Sequence, residues 1–491
     1  MLETAISVLV VLFVLLLFIA AVLIFRATIY GRAPDVVDPV EVPPVEGPVV
    51  AEHLSEAIRQ QTVSGADPRM AAPEAFEALH TTLERLYPRL HATLRRERVN
   101  NSSLLYTWPG RGDEPPVLLC AHLDVVPADP ATKDDWTHPP FSGAVADGCV
   151  WGRGALDMKS TAIAILEAVE GLIKAGYEPE RSVYLALGHD EEIGGWRGAH
   201  CIAELLVERG EKLALVLDEG AAVMDGMLPG LGLPVALVGV SEKGHASVEL
   251  RVEGRSGHSS VPPRHTAIGV LARAITRLEA SPMQSRLSMA GLLFNDLGAF
   301  LPFGLRLALA NMWLFKKSIL KRLAASPQTN ALVRTTMAAT VIQGGVKDNI
   351  LPAQARAVIN CRLLPGDTCQ SVLEHIRRTV NDEAVQIHLP EEAAWDAAPI
   401  SPIDSPEYAG LARTIRQVFP EAVVAPYLVS GATDSRHYVP LTSSIYRFSP
   451  FVLNADLLKT IHGIDERIPV EGLARMVQFY QVLLRSWTTS S

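Results

Sequence analysis

Short apolar runs at 117–119, 183–187 and 213–217, each breaking off into polar residues, constrain this chain more than any other feature. They are too short for helices and match strands buried on both faces of a sheet. Between the first two runs, residues 160–175 set Ile163, Leu166, Val169 and Ile173 on one helical face and close at Gly176. Strands alternating with helices predict an α/β fold with a mostly parallel central sheet. In such sheets ligands bind beyond the carboxyl ends of the strands, so the residues that end each run are the first candidates for chemistry.

The rhythm changes near Ser241. Residues 245–253 alternate apolar and polar positions, as a half-exposed strand does, and Ile268, Leu271, Ile275 and Leu278 then recur at helical spacing. A second strand-like stretch at 355–362 and a helix from Thr368 repeat the pattern. Two such passages predict a smaller α+β domain inserted into the larger one, whose α/β pattern resumes near Ser401. The expected organisation is an anchor over 1–29, a linker over 30–51, catalytic segments over 52–240 and 397–491, and an inserted domain over 241–396.

Residues 5–25 carry no charge and one polar side chain, Ser7. At about 1.5 Å rise per residue they match the roughly 30 Å hydrocarbon core of a bilayer. A cleaved signal sequence is the alternative, but its apolar region is usually about 7–15 residues long and follows a basic segment. Here Glu3 precedes the run without Lys or Arg, so a single-pass membrane anchor is expected. Arg26 and Arg32 on the far flank nominally place the rest of the chain in the cytoplasm. Asp35, Asp38, Glu41 and Glu46 follow at once, and the sequence leaves the side open. Residues 33–48, rich in Pro and acid, read as an extended tether. The net charge of −10 over 491 residues shows no prominent Lys/Arg cluster, which argues against nucleic-acid binding. Five scattered cysteines suit buried small side chains better than a disulfide framework.

The chemistry concentrates at the ends of the runs. His122 and Asp124 lie two apart on one strand face, an arrangement suited to a metal ligand and the carboxylate that orients it. Asp157 follows a Gly-flanked turn and precedes a helix. Glu191 and Glu192 follow the second run; pointing in different directions, one can bind a metal while the other faces water. Asp218 ends the third run, and His462 sits in a late turn. Two histidines and three carboxylates, one of them bridging, are the donor set of a dinuclear Zn²⁺ site, and the remaining glutamate can move a proton.

On the motifs AHLDVVP, WTHPPFSG, GRGALDMK, GHDEEIGG, GGVKDNILP, TDSRHY and IHGIDERI, the chain resembles the zinc-dependent aminoacylase and carboxypeptidase family of co-catalytic metallopeptidases from about residue 52 onward. The resemblance implies a dizinc exopeptidase-like catalytic domain with an inserted lid or dimerisation domain. It implies two zinc ions per chain: His122 and Asp218 on one, Glu192 and His462 on the other, and Asp157 bridging. Asp124 would orient His122, Glu191 would be the general base, and a cis peptide would follow Asp157. His258 would steady the oxyanion. Asn349, Arg362 and Arg436 would grip a substrate carboxylate, with Arg436 favoured because a guanidinium fork matches a carboxylate. The implied substrate is a dipeptide or N-acyl amino acid, with hydrolysis reversible as condensation, and homodimers occur among relatives. The alternative, an inactive relative serving as a binding module, is disfavoured by the intact ligand set. A last stretch, 297–315, is Leu/Phe-rich with Arg306 as its one charge. Pro302, Gly304 and Arg306 interrupt it as a membrane span. Packing inside the inserted domain, an apolar wall for an acyl chain, and a surface leaning on a membrane remain open for it.

Overall fold

A computed structural model describes residues 2–31, 37–38, 40–65, 73–227, 231–390 and 394–488. Arg32 and Asp35, and part of the expected tether, lie outside the described residues. The chain divides into two compact units, one of residues 34–240 and 400–491, the other of residues 1–33 and 241–399.

The first unit is built on a ten-stranded sheet. At its centre Val183–Gly188, Val117–His122, Leu215–Asp218 and Ile445–Arg447 run parallel in that order. Every residue of the first two is buried, as their unbroken apolar text requires. Antiparallel pairs join this centre on both sides, and the outermost strand Val452–Leu453 again runs parallel to Val223–Met224, which makes the sheet mixed. On one side a hairpin joins Arg95–Val99 to Ser103–Trp108. Its tight turn holds Asn100 and Asn101 at positive φ, a conformation asparagine tolerates better than most residues. Leu118 and Cys120 pack with Ile202 and Leu206 of helix Ala199–Glu208. Alternate residues of the strand point the other way, and helix Lys159–Lys174 packs against that strand too. Helices Gly47–Arg59 and Val470–Trp487 pack against Lys159–Lys174. Gly47–Arg59 begins inside the expected tether because Pro48 falls in its first turn, where a missing N–H costs nothing.

The second unit carries an antiparallel sheet ordered Thr336–Gly344, Gln354–Leu363, Gly244–Glu253, Val385–His388. Burial alternates along Gly244–Glu253 and Gln354–Leu363, as the sequence pattern predicts. Their buried faces join helices Ala267–Ala280 and Cys369–Val380 in one apolar core. The 297–315 stretch forms no single span. It breaks at Pro302 and Asn311 into helices Phe303–Ala310 and Met312–Leu323. Helix Leu2–Thr28, long and apolar enough to cross a membrane, belongs to this unit and packs along Phe303–Ala310. All five cysteines are free thiols.

Candidate metal centre

The site forms in the first unit, beyond the carboxyl ends of its parallel strands. His122 ends Val117–His122, and its ring is fully buried. Its Nε2 lies 3.0 Å from Asp157 Oδ1 and 3.3 Å from Glu219 Oε1. Its Nδ1 lies 2.9 Å from the Asp124 carbonyl oxygen and 3.3 Å from Asp124 Oδ1, which fixes the ring from behind. The Asp124 carboxylate also accepts from the backbone N–H groups of Glu191 and Glu192, both at 3.2 Å. One carboxylate thus ties the segment that follows Val117–His122 to the turn after Val183–Gly188.

The opposite oxygen of Asp157, Oδ2, lies 3.1 Å from His462 Nε2, which is 3.3 Å from Glu192 Oε2. Asp157 therefore stands between the two imidazoles, one oxygen toward each. Its peptide bond to Met158 is cis, as the resemblance implied. Two groups of three donors result among the described residues, His122–Asp157–Glu219 and Asp157–Glu192–His462, each within 4.8 Å.

The far-apart segments meet through a small sheet. Strand Arg467–Pro469 pairs with Cys149–Trp151, bringing the turn after His462 onto the turn before Asp157. Glu466 fastens the junction. Its Oε1 accepts from the N–H groups of Gly154, Leu156 and Asp157 at 3.0, 2.8 and 3.1 Å, and Arg153 donates to its Oε2 at 2.6 Å.

So many carboxylates in a buried space move one another's protonation. Burial pushes the His122 imidazole down, but the Glu219, Asp124 and Asp157 carboxylates outweigh it and hold it well above its ordinary value. Hydrogen bonding to Asp157 and Glu192 raises His462 to about 10. Burial, reinforced by Asp157, raises Glu219 to about 8. Glu191 is also pushed well up, by burial first and then by Glu219, Asp434 and Glu192 against the opposing pull of His122.

Sequence reasoning missed Glu219 and Glu466. The carboxylate against His122 is Glu219, while its neighbour Asp218 accepts the Ser435 N–H at 2.7 Å. Adjacent residues at a strand end diverge, and the text Leu-Asp-Glu-Gly does not say which acid turns inward; the adjacency itself was the available signal. Glu191 lies near the cluster, its Oε2 4.0 Å from His122 Nε2. Arg436 donates to the Gly194 carbonyl at 2.5 Å and lies over the Trp196 ring. His258, Asn349 and Arg362 belong to the other unit. His258 pairs with Ile350 in a two-stranded ladder, and its Nδ1 accepts from Ser260 Oγ at 2.7 Å. Asn349 precedes that ladder, and its carbonyl accepts the Ser259 N–H. Arg362 is a half-buried strand residue opposite His245.

The residues present fit a metal pair. Donors from four segments converge with Asp157 in the middle, and Glu192 Oε1 is buried with no hydrogen-bond partner among the described residues. Such an atom is costly unless something electropositive meets it.

The family model for Peptidase family M20/M25/M40 matches residues 118–486. The chain belongs to this family. Its relatives include the N-fatty-acyl-amino acid synthase/hydrolase PM20D1 of Xenopus tropicalis, 42% identical over 90% of this chain and 86% of that protein. Carboxypeptidase S of Saccharomyces cerevisiae is 33% identical over 87% of this chain and 82% of that one. An M20 family metallo-carboxypeptidase of Sulfolobus solfataricus shares the fold, with a TM-score of 0.66 at 20% identity, covering 91% of this chain and 100% of that one. The protein is accordingly a metallohydrolase of the M20 family.

Proposed function

We propose that this protein is a membrane-anchored dizinc amidohydrolase. It cleaves the amide bond of substrates bearing a free carboxylate, dipeptides or N-acyl amino acids, with N-fatty-acyl amino acids included. The observation that carries this reading is Asp157 set between His122 and His462, with Glu191 beside them. His122 and Glu219 would hold one zinc ion and Glu192 and His462 the other, with Asp157 shared; Glu219 takes the position expected of Asp218. When bound, zinc supplies Lewis acidity and lowers the pKa of water.

Glu191 takes the proton of the attacking water and hands it to the leaving amine. A carboxylate with a raised proton affinity suits both tasks, because it accepts the proton readily and holds it until the amine departs. Asp124 keeps the His122 ring in place and holds the Glu191–Glu192 backbone through its two N–H bonds. Support for His258 at the oxyanion, and for Asn349, Arg362 and Arg436 at the substrate carboxylate, comes from the family resemblance. The relatives' names support the fatty-acyl substrate class and make condensation a reverse reaction to test. The anchor is supported by the length and apolarity of helix Leu2–Thr28.

Glu191→Gln tests the mechanism. The expected outcome is loss of turnover of at least about a hundredfold, with both metal ions retained by elemental analysis. Unchanged turnover of a panel of dipeptides and N-acyl amino acids would remove Glu191 from the mechanism.

A further inference from the structure

We propose that helices Phe303–Ala310 and Met312–Leu323 form a second membrane contact, an interfacial foot that lies on an anionic bilayer surface beside the anchor helix. The inference rests on reading Leu2–Thr28 as a membrane anchor, and goes beyond it by assigning a lipid surface to the inserted unit.

Depth is the first argument. The uncharged run 5–25 fills a hydrocarbon core of roughly 30 Å, so Leu23 and Arg26 bracket its edge. The elbow between the two short helices is tied to those residues. Asn311, fully buried, donates to the Leu23 carbonyl at 3.1 Å, and Arg26 Nε donates to the Ala310 carbonyl at 3.1 Å. The chain leaving the anchor is then pressed against Gly298: Gly31 adopts φ +98°, and a Cβ there would meet the Ala299 backbone nitrogen at 2.1 Å. The anchor therefore holds the elbow at the level where acyl chains give way to headgroups.

Chemistry is the second argument. Phe303, Leu305, Trp313 and Leu314 are exposed, Trp313 by 65%. Large apolar side chains, a tryptophan among them, are what the membrane–water boundary accepts. Residues 303–323 carry Arg306, Lys316, Lys317, Lys321 and Arg322 and no acid, in a chain whose net charge is −10. The four cations of Met312–Leu323 are exposed. Their long stems can lie along apolar surface while their charges reach phosphate, and cations beside a membrane are drawn to anionic lipid. An apolar patch next to a basic one, at the depth set by the anchor, commits this surface to lipid.

The test uses the full chain reconstituted into vesicles of phosphatidylcholine and phosphatidylglycerol, with bromine on the acyl chains near either the headgroup or the bilayer centre. The anchor contains no tryptophan, so quenching does not report on it. Wild type should lose more emission than Trp313→Phe, by the equivalent of one tryptophan in seven, and more with shallow than with deep bromine. Replacing Lys316, Lys317, Lys321 and Arg322 with Glu should reduce that difference. Equal quenching of wild type and Trp313→Phe, in protein that floats with the vesicles and resists a carbonate wash, overturns the foot and leaves the anchor standing. Trp313 shielded from aqueous acrylamide but not reached by bromine would assign the surface to a second copy and also overturn it. Failure to float overturns the anchor and the foot together.

Discussion

Glu466 shows how far the metal centre depends on a residue outside the donor groups. Its carboxylate gathers three backbone N–H groups of the turn that presents Asp157, and Arg153 neutralises it. Glu466→Gln keeps the shape but weakens this anchorage and leaves the buried Arg153 without its counter-charge. Breaking a buried pair in this way typically costs about 3–5 kcal/mol. Loss of an orienting partner lowers metal affinity by about 10–100-fold. Chelator competition with the purified variant checks the second figure, and thermal unfolding of the metal-free protein checks the first. His437 gives a second prediction of this kind. Burial first, and then the Arg436 cation, push its imidazole down to about 4. Between its ordinary value and about pH 4 the unfolded chain binds a proton that the folded chain refuses, so stability rises with pH there and falls on acidification. The loss amounts to at most about 3 kcal/mol. His437→Gln, which can still donate to the Gly194 carbonyl, should flatten the acid limb of a melting-temperature profile between pH 6.5 and pH 4. Neither residue was legible in the sequence. His122, Asp157, Glu192 and His462 announce themselves through strand ends and glycine turns, whereas Glu466 matters only because Arg467–Pro469 pairs with Cys149–Trp151.

Elements whose stability is local were legible, and those stabilised by distant partners were not. Helix Cys369–Val380 is a local case. Thr368 Oγ1 accepts the Ser371 N–H at 3.1 Å, and Ser371 Oγ accepts the Thr368 N–H at 3.0 Å, a reciprocal cap within four residues. Thr368→Ala should cost about 1 kcal/mol, visible as faster amide exchange in the first turn of that helix and as a small drop in melting temperature. Gly244–Glu253 and Gln354–Leu363 were equally readable, because one face is buried and a period of two follows. The 297–315 stretch is the opposite case. Its apolar residues carry no single period, because two short helices meet at Asn311 and rest against the N-terminal helix, a partner hundreds of residues away. No window of sequence contains that information. The parallel centre of the main sheet was legible from unbroken apolar runs, but its antiparallel flank depends on a three-residue turn at 100–102, with asparagines at positive φ, that resembles any other loop.

At the scale of the whole molecule, metal binding, proton release and folding are one linked equilibrium. The donors come from segments around residues 122, 157, 191, 219 and 462, so the site exists only in the folded chain. A cation that binds the folded state and not the unfolded one stabilises it by RT ln(1 + [L]/Kd), about 4 kcal/mol at a thousandfold excess over Kd. Chelation should therefore lower the melting temperature, and added zinc should restore it. Without a metal, the carboxylates hold protons on the imidazoles: His122 stands well above its ordinary value and His462 at about 10. A metal must displace those protons, since only a neutral imidazole binds it. Acidification therefore works against the metal, and apparent affinity rises with pH until the imidazoles have lost their protons. Titrating zinc into the chelated protein at neutral pH, in buffers of different ionisation enthalpy, should show more than one proton released per chain. The same titration on His462→Gln should release fewer protons and bind fewer ions. Zinc uptake with no proton release would mean that the imidazoles are already neutral and that the carboxylates do not govern their protonation as the geometry requires.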